Sequence, residues 1–358
     1  RQLVRGRSIH AIMEPKERLM TIYTGFVGTS TSRGGEGILR LTFDPASDTP
    51  LKAEPVLRFD DPTYIQIYGK ELLTYNLAGK MGTVALYQLD DQADLTLIAS
   101  NSEVQADLCH IAQSPDKQHM IACDYYEGHL FFYRREKNRI RLVNTVQKEG
   151  GGPMSPDQDR ARLHFAVIDA ANVATCVDLG SDRLYRYQLG DDLPVELPAI
   201  DLPKGKGPRH LVYGTDGNHL YVLTELTSEV LHLQRQGEAW TLMHTYPTVT
   251  PMFLESTAGA ALPLSADGQH LYTSSRGDDT LFHHRVLPDG SLAPIGRYSS
   301  LGSHPRDFSL TPDDAYLLIC NRDSGNIAVY ARNATDGSLR DTGHHLWVKA
   351  PMCLAWVE

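Results

Sequence analysis

The chain of 358 residues is 41% hydrophobic and 22% charged, and it carries a formal net charge of −10. It is long enough to bury a large core, and an acidic balance with no basic run lacks the usual footprint of a nucleic-acid or anionic-membrane binder. No stretch of 18 apolar residues offers a transmembrane helix, and no apolar segment ahead of a small-residue site offers a secretory leader.

Residues 1–18 fit none of the pattern that follows. Arg1–Met13 is basic and begins without methionine, so this segment reads as an N-terminal arm, with the native start at Met13 or Met20. Leu19–Phe26 reads as a strand with nothing before it to pair with. Thr29–Glu36, TSTSRGGE, is rich in glycine and serine and is expected to be a mobile loop. From there on one unit recurs: an apolar run, a turn, a second run, a third and often a fourth. It is clearest at Gly205–Leu226, where Leu211–Tyr213 and His219–Leu223 flank Thr215-Asp216-Gly217-Asn218. Two runs of β-forming residues around an Asp-Gly turn make a hairpin. Similar turns stand at Ser114-Pro115-Asp116, Ala266-Asp267-Gly268 and Pro312-Asp313-Asp314, with weaker ones near Gly69 and Ala170. Two irregular stretches interrupt the series. Lys148–Arg162 is longer than a hairpin needs and is expected to cover one end of the fold, and Tyr246–Gly259 precedes the unit at Ala261.

With Gly69, Asp116, Ala170, Asp216, Asp267, Asp313 and Glu358 as anchors, the period is roughly 45–54 residues with four strands per unit. That is the pattern of a β-propeller, and seven units account for the chain. Residues 351–358 read as a first strand with no second, and residues 19–26 as a second strand with no first. Joining them closes the ring and hides the sheet edges. The expected fold is therefore all-β: one seven-bladed β-propeller over residues 19–358, with four-stranded antiparallel blades. A closed ring needs no partner, so a monomer is expected. Cys123, Cys176 and Cys320 fall in apolar second strands and Cys109 and Cys353 at first strands. Buried free thiols are distributed this way, and the chain is expected to be cytoplasmic.

First strands of a propeller face the central channel, and their starts ring one mouth. Six residues before each anchor stand Thr63, His110, His164, His210, Ala261, Asp307 and Met352. One place earlier are Cys109, Leu163, Arg209, Ala260 and Arg306. Nine places after the anchors, at the ends of second strands, stand Tyr125, Leu179, Glu225, Arg276 and Arg322. In an antiparallel pair these ends adjoin the first-strand starts. One mouth thus gathers His110, His164, His210, Tyr125, Glu225, Arg209, Arg276, Arg306 and Arg322, with His304 close by. A histidine at a strand start is ordinarily a packing or solvated residue, but three in phase point to a shared role. Arg306 beside Asp307 and Arg322 beside Asp323 are equally readable as ion pairs. Asp116, Asp216, Asp267 and Asp313 are turn residues. His119, His219 and His270 are placed at the opposite mouth, in solvent, and His283-His284 and His344-His345 on outer strands.

Four guanidinium groups at one mouth of an acidic protein point to a small anionic ligand, held through phosphate or carboxylate. Histidines among arginines stay neutral near pH 7 and serve as bases. A metal held by His110, His164 and His210 is disfavoured, since adjacent blades hold them far apart and no H-x-H or C-x-x-C pair occurs.

The pieces GPRH at 207–210, TEL at 224–226, YTG at 23–25 and HF at 164–165 resemble the lactonase family of seven-bladed propellers. So do ADGQHLYTSSR at 266–276, HPRDF at 304–308 and the closing APMCLAWVE. That family includes propeller-type 6-phosphogluconolactonases and carboxy-cis,cis-muconate cyclases. The resemblance implies a catalytic set of His164, Arg209, Glu225 and Arg276. TEL departs from the more usual Asn-Glu, and Leu179 leaves blade 4 without a polar second-strand end. The implied activity is hydrolysis of a sugar lactone, 6-phosphoglucono-1,5-lactone first among them, in the pentose phosphate pathway and without a cofactor. Arg209 and Arg276 would hold the phosphate or the oxyanion, and His164 or His210, oriented by Glu225, would activate water. His110, Tyr125, His210, His304, Arg306 and Arg322 complete the expected substrate-binding set. The alternatives are a lactonising or cycloisomerising reaction on an unsaturated dicarboxylate, and a propeller that only binds.

Overall fold

The computed structural model describes residues 21–253 and 257–357. The expected N-terminal arm and the first two residues of the strand expected at 19–26 lie outside them. The described chain forms seven sheets, each of four antiparallel strands. Blade 1 pairs Pro351–Trp356 with Tyr23–Thr29, followed by Ile38–Phe43 and Leu51–Leu57. Blades 2 to 7 use consecutive strands over 65–105, 108–147, 163–201, 208–247, 258–299 and 305–347. Ring closure is as the sequence implies, with Gly25 opposite Trp356 and Val27 opposite Leu354. The N-terminal strand runs Tyr23–Thr29 rather than 19–26.

Burial explains the sequence pattern. Second strands such as His119–Asp124 and His219–Thr224 are buried at every residue, because both faces meet a neighbouring blade. Fourth strands such as Ala239–Pro247 are mostly exposed. Apolar layers fill the spaces between blades: Leu73 and Tyr75 of blade 2 meet Phe131 and Tyr133 of blade 3. Leu39 and Leu41 of blade 1 meet Leu318 and Val329 of blade 7 across the closure.

The turns do what their residues dictate. Asp116, Asp216, Asp267 and Asp313 each accept the backbone N–H two residues on, at 2.9, 3.0, 2.9 and 3.1 Å. Blade 4 differs. Its turn closes from the Asp169 N–H to the Val173 carbonyl, one residue tighter than Ser114 to His119 or Gly214 to His219.

Three local expectations are corrected. Residues 29–36 form an ordered corner: Thr29 Oγ1 accepts the Glu36 and Gly37 N–H groups, and Asp61 accepts from Ser30 and Ser32. His119, His219 and His270 are buried, not solvated. His219 Nδ1 and His270 Nδ1 lie 2.9 Å from His232 Nε2 and His283 Nε2. Gly290 and Gly337 close over the His219 and His270 rings, so near that a Cβ would come within 2.2 and 2.4 Å of them. His283 and His284 lie in the buried third strand Thr280–Val286 of blade 6, not an outer one.

Candidate active site

At one mouth of the channel the first strands lose register by one residue in five of the seven blades. The residue skipped is Met352, Cys109, His164, Arg209 or Arg306. A bulge leaves one residue outside the ladder and re-aims its side chain, and bulges recur beside active sites. This revises the expected phase. Because the blade 4 turn is one residue shorter, His164 shares its place with Cys109, Arg209 and Arg306. Phe165 is the counterpart of His110, His210 and Asp307. The three histidines are not equivalent: His164 stands in the bulged ring, and His110 and His210 one residue deeper.

The deeper layer is an aromatic wall. Ring centroids run Tyr64 to His110 at 4.1 Å, His110 to Phe165 at 4.1 Å and Phe165 to His210 at 4.4 Å. His110 is buried, and its Nδ1 accepts the Ala166 N–H at 3.2 Å.

Glu225, just past the second strand of blade 5, is the charge centre of the mouth. Its Oε2 lies 2.9 Å from Arg209 Nε and 2.9 Å from Arg276 Nη2. The Arg209 Nε–H points off the carboxylate, so that contact is Coulombic. The expected orientation of a histidine by Glu225 does not occur; its ion pairs are with the two arginines. The backbone ties the same groups together: the Glu225 N–H donates to the Gly207 carbonyl at 2.7 Å and the Gly259 N–H to the Glu225 carbonyl at 3.2 Å. Arg276 Nη2 donates to Gly259 O at 2.9 Å and its Nε to Ala258 O at 3.3 Å. Arg209 Nη1 donates to Ala260 O and, at 2.8 Å, to His210 Nε2. Arg306 has neither a hydrogen bond nor an ion pair among the described residues; the expected pair with Asp307 does not form. Asp307 instead accepts the Leu354 N–H at 3.4 Å.

These contacts set the protonation states. Burial alone would raise the Glu225 carboxyl, but Arg276, Arg209 and Arg306 outweigh it and hold the group ionised. Burial, then repulsion from Arg306 and Arg276, pulls Arg209 well down from its ordinary value. Arg306 is lowered by burial and Arg276. Burial and Arg209 drive His110, His164 and His210 far below the usual imidazole range, so all three are neutral. Burial lifts Asp307 to about 6.

His164 is 6% exposed, and its buried Nδ1 has no hydrogen-bond partner among the described residues. Its ring lies 5.6 Å from His210 and 5.7 Å from Tyr125. Arg162 stacks over Tyr125 at 5.0 Å, and Gln158 Nε2 donates to Leu179 O at 2.8 Å. The long loop before blade 4 thus covers this side of the mouth, as its length implied. Arg322 is paired with Asp323 at 2.7 Å and donates to His304 Nδ1 at 3.2 Å. Arg322 also lines a groove of about 790 Å³ at the seam of blades 1 and 7, away from Glu225 and His164.

Asp182 escaped the sequence reading. It is fully buried and accepts the N–H groups of Gly205, Lys206 and Gly207 at 2.7, 3.0 and 2.8 Å. Three amides turned to one carboxylate hold the loop that delivers Arg209. The only sequence signal was a Gly-x-Gly loop in need of an acceptor.

The family model "Lactonase, 7-bladed beta-propeller" matches residues 24–356. The chain is 28% identical over 348 residues to the 6-phosphogluconolactonase of Bacillus subtilis, covering 95% of this chain and 99% of that one. A crystal structure from Lactobacillus plantarum superposes with a TM-score of 0.88 at 28% identity, covering 94% of this chain and all of the other. The periplasmic gluconolactonase of Pseudomonas aeruginosa superposes with a TM-score of 0.87 at 26% identity, over 94% and 99% of the two chains. With the model spanning nearly every described residue and the bulged ring built on its sheets, the chain belongs to the lactonase family of seven-bladed β-propellers.

Proposed function

We propose that the chain hydrolyses a phosphorylated sugar lactone, 6-phosphoglucono-1,5-lactone, at the mouth formed by Arg209, Glu225, Arg276, Arg306 and His164. One observation carries this reading: Arg209 and Arg276 share the single Glu225 carboxylate, and Arg306 beside them makes no side-chain hydrogen bond or ion pair among the described residues. An enclosed excess of positive charge calls for an anion. The names of the B. subtilis and P. aeruginosa relatives support a lactone as the substrate class.

The roles follow from the contacts. Arg306 receives the phosphate. Arg276 and Arg209, held in place by carbonyls and Glu225, face the oxyanion that forms when water adds to the lactone carbonyl. His164 is the base. Its ring makes no hydrogen bond among the described residues and is left to take a proton from the attacking water, whereas His210 Nε2 is already occupied by Arg209. The C–O ring bond then breaks and the proton passes to the leaving hydroxyl. Five free cysteines support a reducing compartment, and the closed ring supports a monomer. No helix among the described residues is long and apolar enough to cross a membrane.

The test is an initial-rate assay on fresh 6-phosphoglucono-1,5-lactone against the spontaneous rate, with the unphosphorylated lactone and an unsaturated dicarboxylate alongside. Acceleration greatest with the phosphorylated lactone is expected. A wild-type rate equal to the uncatalysed one would sink this substrate.

A further inference from the structure

Three blades enter the mouth by the same step: a residue with positive φ, a proline, then the bulged residue. The steps are Gly207-Pro208-Arg209, His304-Pro305-Arg306 and Ala350-Pro351-Met352, with φ of 59°, 61° and 46° at the first position. In each, the first residue's carbonyl accepts the N–H of a residue at the neighbouring second-strand end: Glu225 at 2.7 Å, Arg322 at 3.0 Å and Ser30 at 3.0 Å. The backbone defines this position, and glycine meets it with least strain. Blade 5 uses glycine there, and blade 1 uses alanine, which brings no polar group. Blade 7 alone places a large polar ring there, against the steric preference of a side chain at left-handed φ.

The ring is not what holds the step together. The His304 N–H is bound by Asp279 Oδ1 at 2.7 Å, as the Gly207 N–H is by Asp182 at 2.8 Å. His304 Nδ1 accepts from Arg322 and lies 3.4 Å from Asp323 Oδ2. A neutral ring that accepts at Nδ1 carries its proton on Nε2, and Nε2 has no hydrogen-bond partner among the described residues. The charged groups that face the ring are Arg322, Arg276, Asp323 and Arg306. Apart from Asp323, which Arg322 already occupies, the charged groups around the ring are all donors, and although the side chain is 19% exposed, Nε2 itself is enclosed among them. Convergent donors without an acceptor make a receptor for an oxyanion.

We propose that the His304 imidazole is an anion-binding group of this site, giving its Nε2–H to an oxygen of the phosphate or carboxylate that Arg306 holds. This deepens the anionic-substrate reading above and rests on it. The test is calorimetric titration of the whole chain with inorganic phosphate and with 6-phosphogluconate, for wild type, His304→Gly and His304→Ala, beside thermal melting of each. Both variants are expected to bind roughly tenfold more weakly, while His304→Gly melts no lower than wild type because a strained position has been relaxed. Unchanged affinity in His304→Gly overturns the proposal. Affinity and melting temperature falling together in both variants assigns the ring to packing and also overturns it. A wild type that binds 6-phosphogluconate but leaves lactone opening unaccelerated sinks the lactonase reading and keeps His304 as an anion ligand. A wild type that binds neither anion overturns both.

Discussion

Blades 5 and 7 carry the same local structure and use it differently. Each delivers an arginine into the mouth on a bulge, after a proline and a residue of positive φ, with an aspartate of the preceding blade holding the approach. In blade 5 the arginine is consumed by the protein: Arg209 reaches Ala260 O, His210 and Glu225. In blade 7 the arginine is left over, because the Arg306 side chain makes no hydrogen bond or ion pair among the described residues. The lesson is that a repeated motif does not repeat its role. Position in the ring decides whether a cation organises the site or receives the ligand. Satisfied polar groups build scaffolds, and unsatisfied enclosed ones await a partner.

The largest effect expected is on Arg209. Arg209→Ala removes the counter-ion, the His210 contact and the carbonyl contact at once. Activity should fall by about 10²–10³-fold, with stability down by about 3 kcal/mol as in other broken buried pairs. Initial rates and denaturant titration check both; a fully stable variant would mean that the blade 5 arginine organises nothing. Next comes Asp182. Asp182→Ala strands three buried amides and should cost about 3 kcal/mol, with kcat reduced because Arg209 is delivered loosely. Asp182→Asn keeps an acceptor and should recover part of both. Asp279, which takes a single N–H from His304, should cost about 1 kcal/mol on truncation to alanine. Equal losses at the two aspartates would erase the difference between the blades. Arg306→Ala gives the reverse profile from Arg209→Ala. KM should rise by about 10–100-fold, the value of a charge-assisted contact to phosphate, while the melting temperature holds or rises because repulsion with Arg276 is relieved. A stability loss without a change in KM would make Arg306 a scaffold residue.

The fold was legible because the period of the apolar runs, the Asp-centred turns and the unpaired strands at the two ends all pointed one way. The positions of Arg209, Glu225 and Arg276 were legible for the same reason, since hairpin geometry puts first-strand starts beside second-strand ends. Three things were hidden. A bulge is not written in a residue pattern, so His164 was grouped with His110 and His210 when it stands with Arg209 and Arg306. The one-residue shortening of the Asp169 turn moved the count, and only the backbone ladder reveals it. Asp182 went unread, because an acceptor for distant amides is set by tertiary contact, not by neighbours in sequence. The same limit applied to His219 and His270, whose covering glycines lie in the next blade.

The smallest effect tests the residue after each arginine. Blade 5 has His210 there and blade 7 has Asp307, at matching places in the register. His210 is neutral. Asp307 is lifted by burial to about 6, against an ordinary carboxyl near 3.9. The folded chain therefore binds this proton more tightly than the unfolded one. In such a case stability falls as pH rises through about 6, and the penalty is absent below about pH 4, where both states hold the proton. Asp307→Asn removes the charge while keeping the shape. It should stabilise the protein by about 1–3 kcal/mol at pH 8 and by nothing measurable at pH 4. Denaturant midpoints at the two pH values decide it. A gain that is equal at both would mean that Asp307 carries no ionisation cost, and that the channel beneath Arg306 is already neutralised by the arginines above it, as the channel beneath Arg209 is by design of its neutral histidine.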